Sequence, residues 1–486
     1  MEKKNTWETY EARDVKKLEK LCAEYRDFLD NGKTERECVD NIVNIVEAAG
    51  YRELAALEKS GAALKPGDKV YSVWMNKSVI MFQVGRKPLS EGMNILGAHI
   101  DSPRLDVKQN PLYEDGGFAY LDTHYYGGVK KYQWVTIPLA IHGVVVKKDG
   151  STVELNVGEN EDDPVFFVSD LLIHLAQEQL EKKAAKVIEG EALDIIIGNK
   201  PLVIDKKADK KSGKNSKKNE PDGEKAAKDA VKAGILQILK DNYDMEEEDF
   251  VSAELEVVPA GRAREAGFDR SMILAYGQDD RVCAFTSMKA MLDTPETERT
   301  LCCILVDKEE IGSVGATGMQ SRFFENAVAE LMNLSGEYSE LALRRCLAHS
   351  CMLSSDVSSA YDPSYASSFD KKNVAYLGGG MVFNKFTGSR GKSGSNDANA
   401  EYIAHIRDIF AREKINFQTA ELGKVDLGGG GTIAYILALY GMNVIDSGVA
   451  VLNMHAPWEA TSKADVYETY RGYKAFAVGA DDAKVF

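Results

Sequence analysis

Apolar residues fall into two spacings along this chain. Near the amino terminus they recur at helical intervals: Val39, Ile42, Val43, Ile45 and Val46 share one face of a segment that Thr34 and Glu37 open as a capping box and Gly50 closes. The first fifty residues are therefore predicted to be mostly helical. Beyond Gly92, helical stretches alternate with short apolar runs. Residues 93–96, 301–306 (Leu-Cys-Cys-Ile-Leu-Val) and 449–453 (Val-Ala-Val-Leu-Asn) read as buried strands of a largely parallel sheet. Polar, chemically capable residues follow each run. Open α/β sheets place their sites there, at the carboxyl ends of strands.

The middle of the chain has a different texture. Residues 105–255 carry β-rich segments, 132–137 and 141–146, and then a predicted helix over 170–187. The pattern predicts an α/β domain with a mostly parallel sheet, formed by residues 1–104 and 256–486 and interrupted by a β-rich inserted domain, 105–255. Within the insert, residues 206–228 are rich in Lys, Gly, Ser, Asn and Glu and nearly devoid of large apolar side chains. Such sequence buries too little surface to order itself, and a flexible loop is expected.

Composition narrows the function. The 486 residues include 60 Lys and Arg against 76 Asp and Glu, a net charge of −16, which argues against a general nucleic-acid or anionic-membrane binder. The seven cysteines form no C-x-x-C pair, and an odd count in so long a chain fits a reducing compartment. The amino terminus is charged rather than apolar, and no stretch approaches membrane-spanning length, so a cytoplasmic protein is expected.

The chemistry gathers at the strand ends. His99 and Asp101 stand two apart after the first apolar run, and residues i and i+2 of a strand face the same side. An isolated pair of this kind is an ordinary hydrogen-bonded couple. Here it is joined by Gly277-Gln278-Asp279-Asp280-Arg281, Glu309-Glu310-Ile311-Gly312-Ser313, Ser354-Ser355-Asp356-Val357 and Asn453-Met454-His455-Ala456-Pro457-Trp458-Glu459. Two His and three or four carboxylates suit two divalent metals about 3.5 to 4 Å apart, with a bridging water as nucleophile. A further carboxylate is then needed as general base. The adjacent Glu309 and Glu310 can divide those roles, because successive residues of an extended segment point oppositely.

The ordered set Ala98-His99-Ile100-Asp101-Ser102-Pro103-Arg104, Asp280, Glu309 to Ser313, Ser355-Asp356-Val357 and Met454-His455 with Glu459 resembles that of the M18 metallopeptidases, the aspartyl aminopeptidase and aminopeptidase I group. The match runs across nearly the whole chain. What the resemblance implies is a zinc-dependent exopeptidase acting on peptides with a free N-terminus. It also implies that the insert serves oligomerisation, in a homo-oligomer of twelve subunits built from dimers. By the same resemblance Asp280 is the bridging carboxylate, His99 and Asp356 complete one metal, and Glu310 and His455 complete the other. Asp101 orients His99, and Glu309 takes the proton of the water. Two ions per subunit are implied, zinc foremost, with Co and Mn suiting the same ligands. His174 resembles the histidine that reaches a neighbouring subunit's active site; on its residues alone it is a helix histidine. His124, His142, His349 and His405 are read as structural or surface residues. Where the family usually carries histidines after the Asp ligand, this chain has Ser359 and Asp362.

Substrate preference stays open at this level. Lys385 matches the lysine that pairs with an acidic substrate side chain if one residue is inserted; without the gap Asn384 falls there, and an acidic (Asp or Glu) or a neutral (Leu-like) preference is implied accordingly. Gly428 to Gly431 either approach a substrate backbone or form a tight turn. Gly391-Lys392-Ser393 is no phosphate-binding loop, since Phe386 replaces the required glycine. The remaining rivals are a two-metal amidohydrolase acting on acylated amino acids and a non-catalytic oligomeric scaffold. A scaffold would be expected to lose a ligand or the base, whereas the whole set is present.

Overall fold

The computed structural model describes residues 5–202 and 229–480, so the predicted loop over 206–228 lies wholly outside the described residues. The chain divides into two compact units, residues 1–102 with 262–486, and residues 103–261.

The first unit is built on a nine-stranded mixed sheet. At its centre Thr300–Val306, Met93–His99, Cys351–Ser355 and Asn443–Gly448 lie side by side, all parallel. Alternation sorts their side chains onto two faces: Leu301, Cys303 and Leu305 enter one core, while Cys302, Ile304 and Val306 enter the other. The first core is covered by the helices Ala12–Asp30, Glu35–Ala48, Gln278–Leu292, Ala400–Glu413 and Lys463–Gly479, the second by Leu54–Ser60, Phe323–Leu334 and Glu340–His349. Burial on both faces explains why these strands read as continuous apolar runs. The parallel directions put the residues after His99, Val306 and Ser355 at one edge of the sheet.

The amino-terminal helices follow the predicted signals. Thr34 Oγ1 accepts from the Glu37 N–H at 3.2 Å, and Glu37 Oε2 accepts from the Thr34 and Lys33 N–H groups at 3.2 and 3.0 Å. Gly50 takes a φ of +86° just past the helix end. Thr34→Ala should cost about 1 kcal/mol, read as a lowered thermal midpoint, with no change in metal content.

One strand is reassigned. Residues 449–453 do not join the parallel sheet; Ala450–Leu452 belongs to a separate five-stranded sheet, antiparallel to Glu459–Ser462. The parallel strand is its predecessor, Asn443–Gly448, whose buried Asp446 and Ser447 interrupt the apolar pattern.

The second unit holds a six-stranded antiparallel sheet, from Thr152–Val157 through Leu139–Val146, Ala253–Pro259, Arg104–Asp115 and Phe118–Tyr126 to Ile195–Gly198. Residues 132–137 form no strand. A 3-10 turn, Lys131–Gln133, leads into bends, with Thr136 at a φ of +62°. The predicted helix over 170–187 is likewise broken up, into a 3-10 turn, Ile173–Leu175, and two four-residue helices, Gln177–Leu180 and Ala184–Val187. Leu171, Leu172, Ile173, Leu175 and Leu180 are all exposed, so among the described residues no core holds the segment helical.

Candidate active site

Seven of the nine predicted site residues meet at the carboxyl edge of the parallel strands: His99, Asp101, Asp280, Glu309, Glu310, Asp356 and His455. His99 ends its strand, and its Nδ1 lies 3.2 Å from Asp101 Oδ1. Asp101 is fully buried and also accepts the N–H of Glu309 on Oδ1 and that of Glu310 on Oδ2, both at 3.2 Å. Asp101 thus sets the angle of an imidazole, with its main-chain carbonyl 3.0 Å from His99 Nδ1 as well as its carboxylate, and its carboxylate fixes the turn carrying two acids. Beyond the ring, His99 Nε2 is 3.9 Å from Glu309 Oε2 and 4.0 Å from Asp356 Oδ1.

The carboxylate between the two histidines is that of Asp279, which the sequence reading passed over for Asp280. Asp279 Oδ1 lies 3.3 Å from His99 Nε2, and its Oδ2 lies 3.2 Å from His455 Nε2. Glu310 Oε1 is 3.5 Å from the same His455 nitrogen. Asp280, joined to Asp279 by a cis peptide bond, accepts the His99 N–H on Oδ2 at 3.4 Å. Which neighbour faces the histidines is decided by the backbone at the head of the helix Gln278–Leu292, where both residues leave helical dihedrals. Spacing alone cannot separate two adjacent acids.

Glu459 links the two segments. It is buried, and it accepts the His455 N–H on Oε1 at 2.7 Å and the Asp279 N–H on Oε2 at 3.0 Å. Its place in the motif ending Met454-His455-Ala456-Pro457-Trp458-Glu459 does not by itself reveal this role. Ser102 Oγ donates to the Asp279 carbonyl at 2.7 Å, fixing the same residue from the other side.

The electrostatics call for cations. Burial pushes the carboxyl groups of Asp280, Glu310 and Asp356 well above the usual range, and pushes that of Glu309 up to about 7. Asp279 is the exception: despite burial, the His455 and His99 imidazoles hold it below its ordinary value. Burial lowers His99, but the Asp101 and Asp279 carboxylates outweigh it and hold the imidazole well above its ordinary value. Asp280 Oδ1 and Glu310 Oε1 are buried without a hydrogen-bond donor. Ligand atoms of His99, Asp280 and Asp356 lie within 4.8 Å of one another, as do those of His99, Asp279 and Glu310. Imidazoles with surplus buried carboxylates fit zinc.

The other two predicted residues stand elsewhere. His174 lies in the second unit, on the exposed turn Ile173–Leu175. Lys385 follows the strand Met381–Asn384, which runs antiparallel to Asn443–Gly448 and pairs Val382 with Gly448 and Asn384 with Asp446. Lys385 therefore lies toward the amino end of that neighbour, away from the edge that carries Asp356. Its Nζ is 3.7 Å from Asp397 Oδ1, and it borders a cavity of about 300 Å³ floored by Phe383, Phe417 and Ile406. Asn384 is buried and donates to the Ala420 carbonyl.

Residues 28–477 match the sequence profile of the family described as aminopeptidase I zinc metalloprotease (M18). The chain belongs to the M18 family. It is 60% identical over 475 residues to a probable M18 family aminopeptidase 1 of Clostridium acetobutylicum, covering 98% of each chain. The crystal structure of aminopeptidase I from the same organism superposes with a TM-score of 0.86 at 58% identity, covering 98% of this chain and 99% of that one. The M18 aminopeptidase from Thermotoga maritima superposes with a TM-score of 0.89 at 42% identity, covering 99% and 100%. This M18 protein is thus an aminopeptidase, a hydrolase acting on peptides, from a zinc family. Among the described residues no helix is long and apolar enough to cross a membrane.

Proposed function

We propose that this aminopeptidase uses two zinc ions per subunit, with Asp279 as the shared carboxylate, His99 and Asp356 on one ion, and Glu310 and His455 on the other. The observation that carries this reading is the Asp279 carboxylate itself, whose two oxygens face two different imidazoles. Zinc held by these residues would supply Lewis acidity to the scissile carbonyl and to the attacking water. Glu309 accepts the proton of the attacking water and returns it to the leaving amine nitrogen. Asp101 keeps Glu309 and His99 in register through its hydrogen bonds to both. Asp280 supports the backbone of His99 and lies close enough to replace Asp279 as a ligand to the His99 and Asp356 ion.

A neutral N-terminal residue is the preferred substrate on this reading. Lys385 lies toward the amino end of the strand Asn443–Gly448, away from the edge that carries Asp356, and Asn384 is neutral and spent on the Ala420 carbonyl, which supports a site without a cation for an acidic side chain. The exposed run Leu171, Leu172, Ile173 and Leu175 supports a homo-oligomer, twelve subunits by the family resemblance, in which it is covered and His174 reaches a neighbouring active site. Seven buried free thiols suit the cytoplasm.

The test is hydrolysis of Leu-, Asp-, Glu- and N-acetyl-Leu chromogenic amides by metal-stripped protein, before and after zinc is restored. Zinc-dependent cleavage confined to the free-amine substrates, with Leu ahead of Asp, is expected. Cleavage of the acetylated amide would instead favour an amidohydrolase, and Asp ahead of Leu would return Lys385 to the substrate.

A further inference from the structure

The cavity beside Lys385 shares no residue with the catalytic site. Its volume of about 300 Å³ is on the scale of a small-ligand pocket. It lies at the rim of the nine-stranded sheet, where Phe417–Thr419 is the edge strand, paired to Met381–Asn384, and the helix Ala400–Glu413 supplies a further wall. The floor is apolar: Phe383, Ile406 and Ile445 are buried, and Phe417 is half-buried.

Two opposite charges border this floor. Arg407 follows Ile406 on the helix, and Glu421 stands two residues beyond the edge strand. The backbone there is pinned, because the Ala420 N–H donates to the Phe383 carbonyl at 3.0 Å and the Glu421 N–H donates to the Asn373 carbonyl at 2.7 Å. The side chains, by contrast, are unengaged. Among the described residues neither the Arg407 guanidinium nor the Glu421 carboxylate forms an ion pair or a hydrogen bond, with the other or with any further group. Opposite charges on one small cavity that do not meet leave room for a ligand carrying both signs. Lys385 adds a second cation: its Nζ lies 3.7 Å from Asp397 Oδ1, while Lys392 holds the other oxygen of that carboxylate at 2.9 Å.

We infer that this cavity binds a free apolar α-amino acid of about the size of leucine, at a site separate from the catalytic centre. The α-carboxylate pairs with Arg407, the α-ammonium pairs with Glu421, and the side chain lies on Phe383, Ile406 and Ile445. An apolar floor alone would accept any hydrocarbon, whereas two fixed charges of opposite sign select a zwitterion. Such a molecule is what an aminopeptidase of neutral preference releases, so the site senses product. The binding itself stands on the cavity; only the source of the ligand rests on the aminopeptidase reading.

The experiment is equilibrium dialysis of zinc-loaded protein against radiolabelled L-leucine, alone and with saturating leucine hydroxamate, a zinc chelator that lacks the carboxylate and so blocks the catalytic site. One leucine per subunit should stay bound in the presence of the hydroxamate. Arg407→Gln and Glu421→Gln should each weaken that binding by about tenfold or more. Both variants should match wild type in zinc content, thermal midpoint and kcat on Leu-anilide, since Arg407 is exposed, Glu421 is half-buried and neither side chain is bonded within the chain. Isocaproate, which keeps the carboxylate alone, and leucinamide, which keeps the ammonium alone, should compete far less well than leucine. Absence of hydroxamate-resistant binding at millimolar leucine would overturn the proposal, as would resistant binding that neither variant weakens or that isocaproate displaces as well as leucine does. Resistant binding lost in both variants, in a wild-type protein that cleaves no amide when loaded with zinc, would uphold the cavity site and strike the peptidase reading alone.

Discussion

Glu309→Gln is expected to take up zinc like wild type and to lower kcat by about 10²- to 10⁴-fold. Gln keeps the shape of the side chain, and the Glu309 N–H still reaches Asp101, so the turn and the neighbouring Glu310 stay in place. What disappears is a group able to accept a proton. Burial, acting above all, raises the Glu309 carboxyl to about 7, and the charges of Asp101 and Asp279 add to it while the two histidines oppose it. A carboxylate can take the proton of the attacking water and give it back, as a general base must. The check is kcat on Leu-anilide alongside metal content by atomic emission. Undiminished turnover at full zinc occupancy would remove Glu309 from the chemistry.

The parts legible in the sequence are those whose physics is local or strictly periodic. Burial on both faces makes the strand Thr300–Val306 a continuous apolar run, and the Thr34 and Glu37 pair starts a helix through contacts three residues apart. The strand-end acids and histidines were legible because parallel strands deliver their next residues to one edge. Three features were hidden for the opposite reason. Asn443–Gly448 is a central strand with Asp446 in it, and that acid is tolerated only because Thr432, remote in sequence, donates to it. Residues 170–187 carry helical apolar spacing, but among the described residues their large side chains find no core, and spacing without burial does not hold a helix. The choice between Asp279 and Asp280 depends on Glu459, 180 residues from Asp279, which pins the Asp279 N–H and with it the direction of the side chain.

Asp279→Ala and Asp280→Ala should therefore separate sharply. Asp279 faces both imidazoles, so on the proposed two-zinc arrangement its removal would take the shared ligand from both ions. Zinc content is expected to fall from two ions per subunit to near zero, with activity lost along with it. Breaking a buried charged pair costs about 3–5 kcal/mol, so the thermal midpoint of the variant should also fall and should no longer respond to added zinc. Asp280→Ala removes a buried carboxylate that burial pushes well above its ordinary range and that meets the His99 N–H at a long 3.4 Å. That variant should keep the Glu310 and His455 ion and lose affinity chiefly at the His99 and Asp356 position. Titration with zinc, following bound metal and thermal midpoint together, distinguishes the two. Loss of both ions in Asp280→Ala, with both retained in Asp279→Ala, would hand the bridging role back to Asp280.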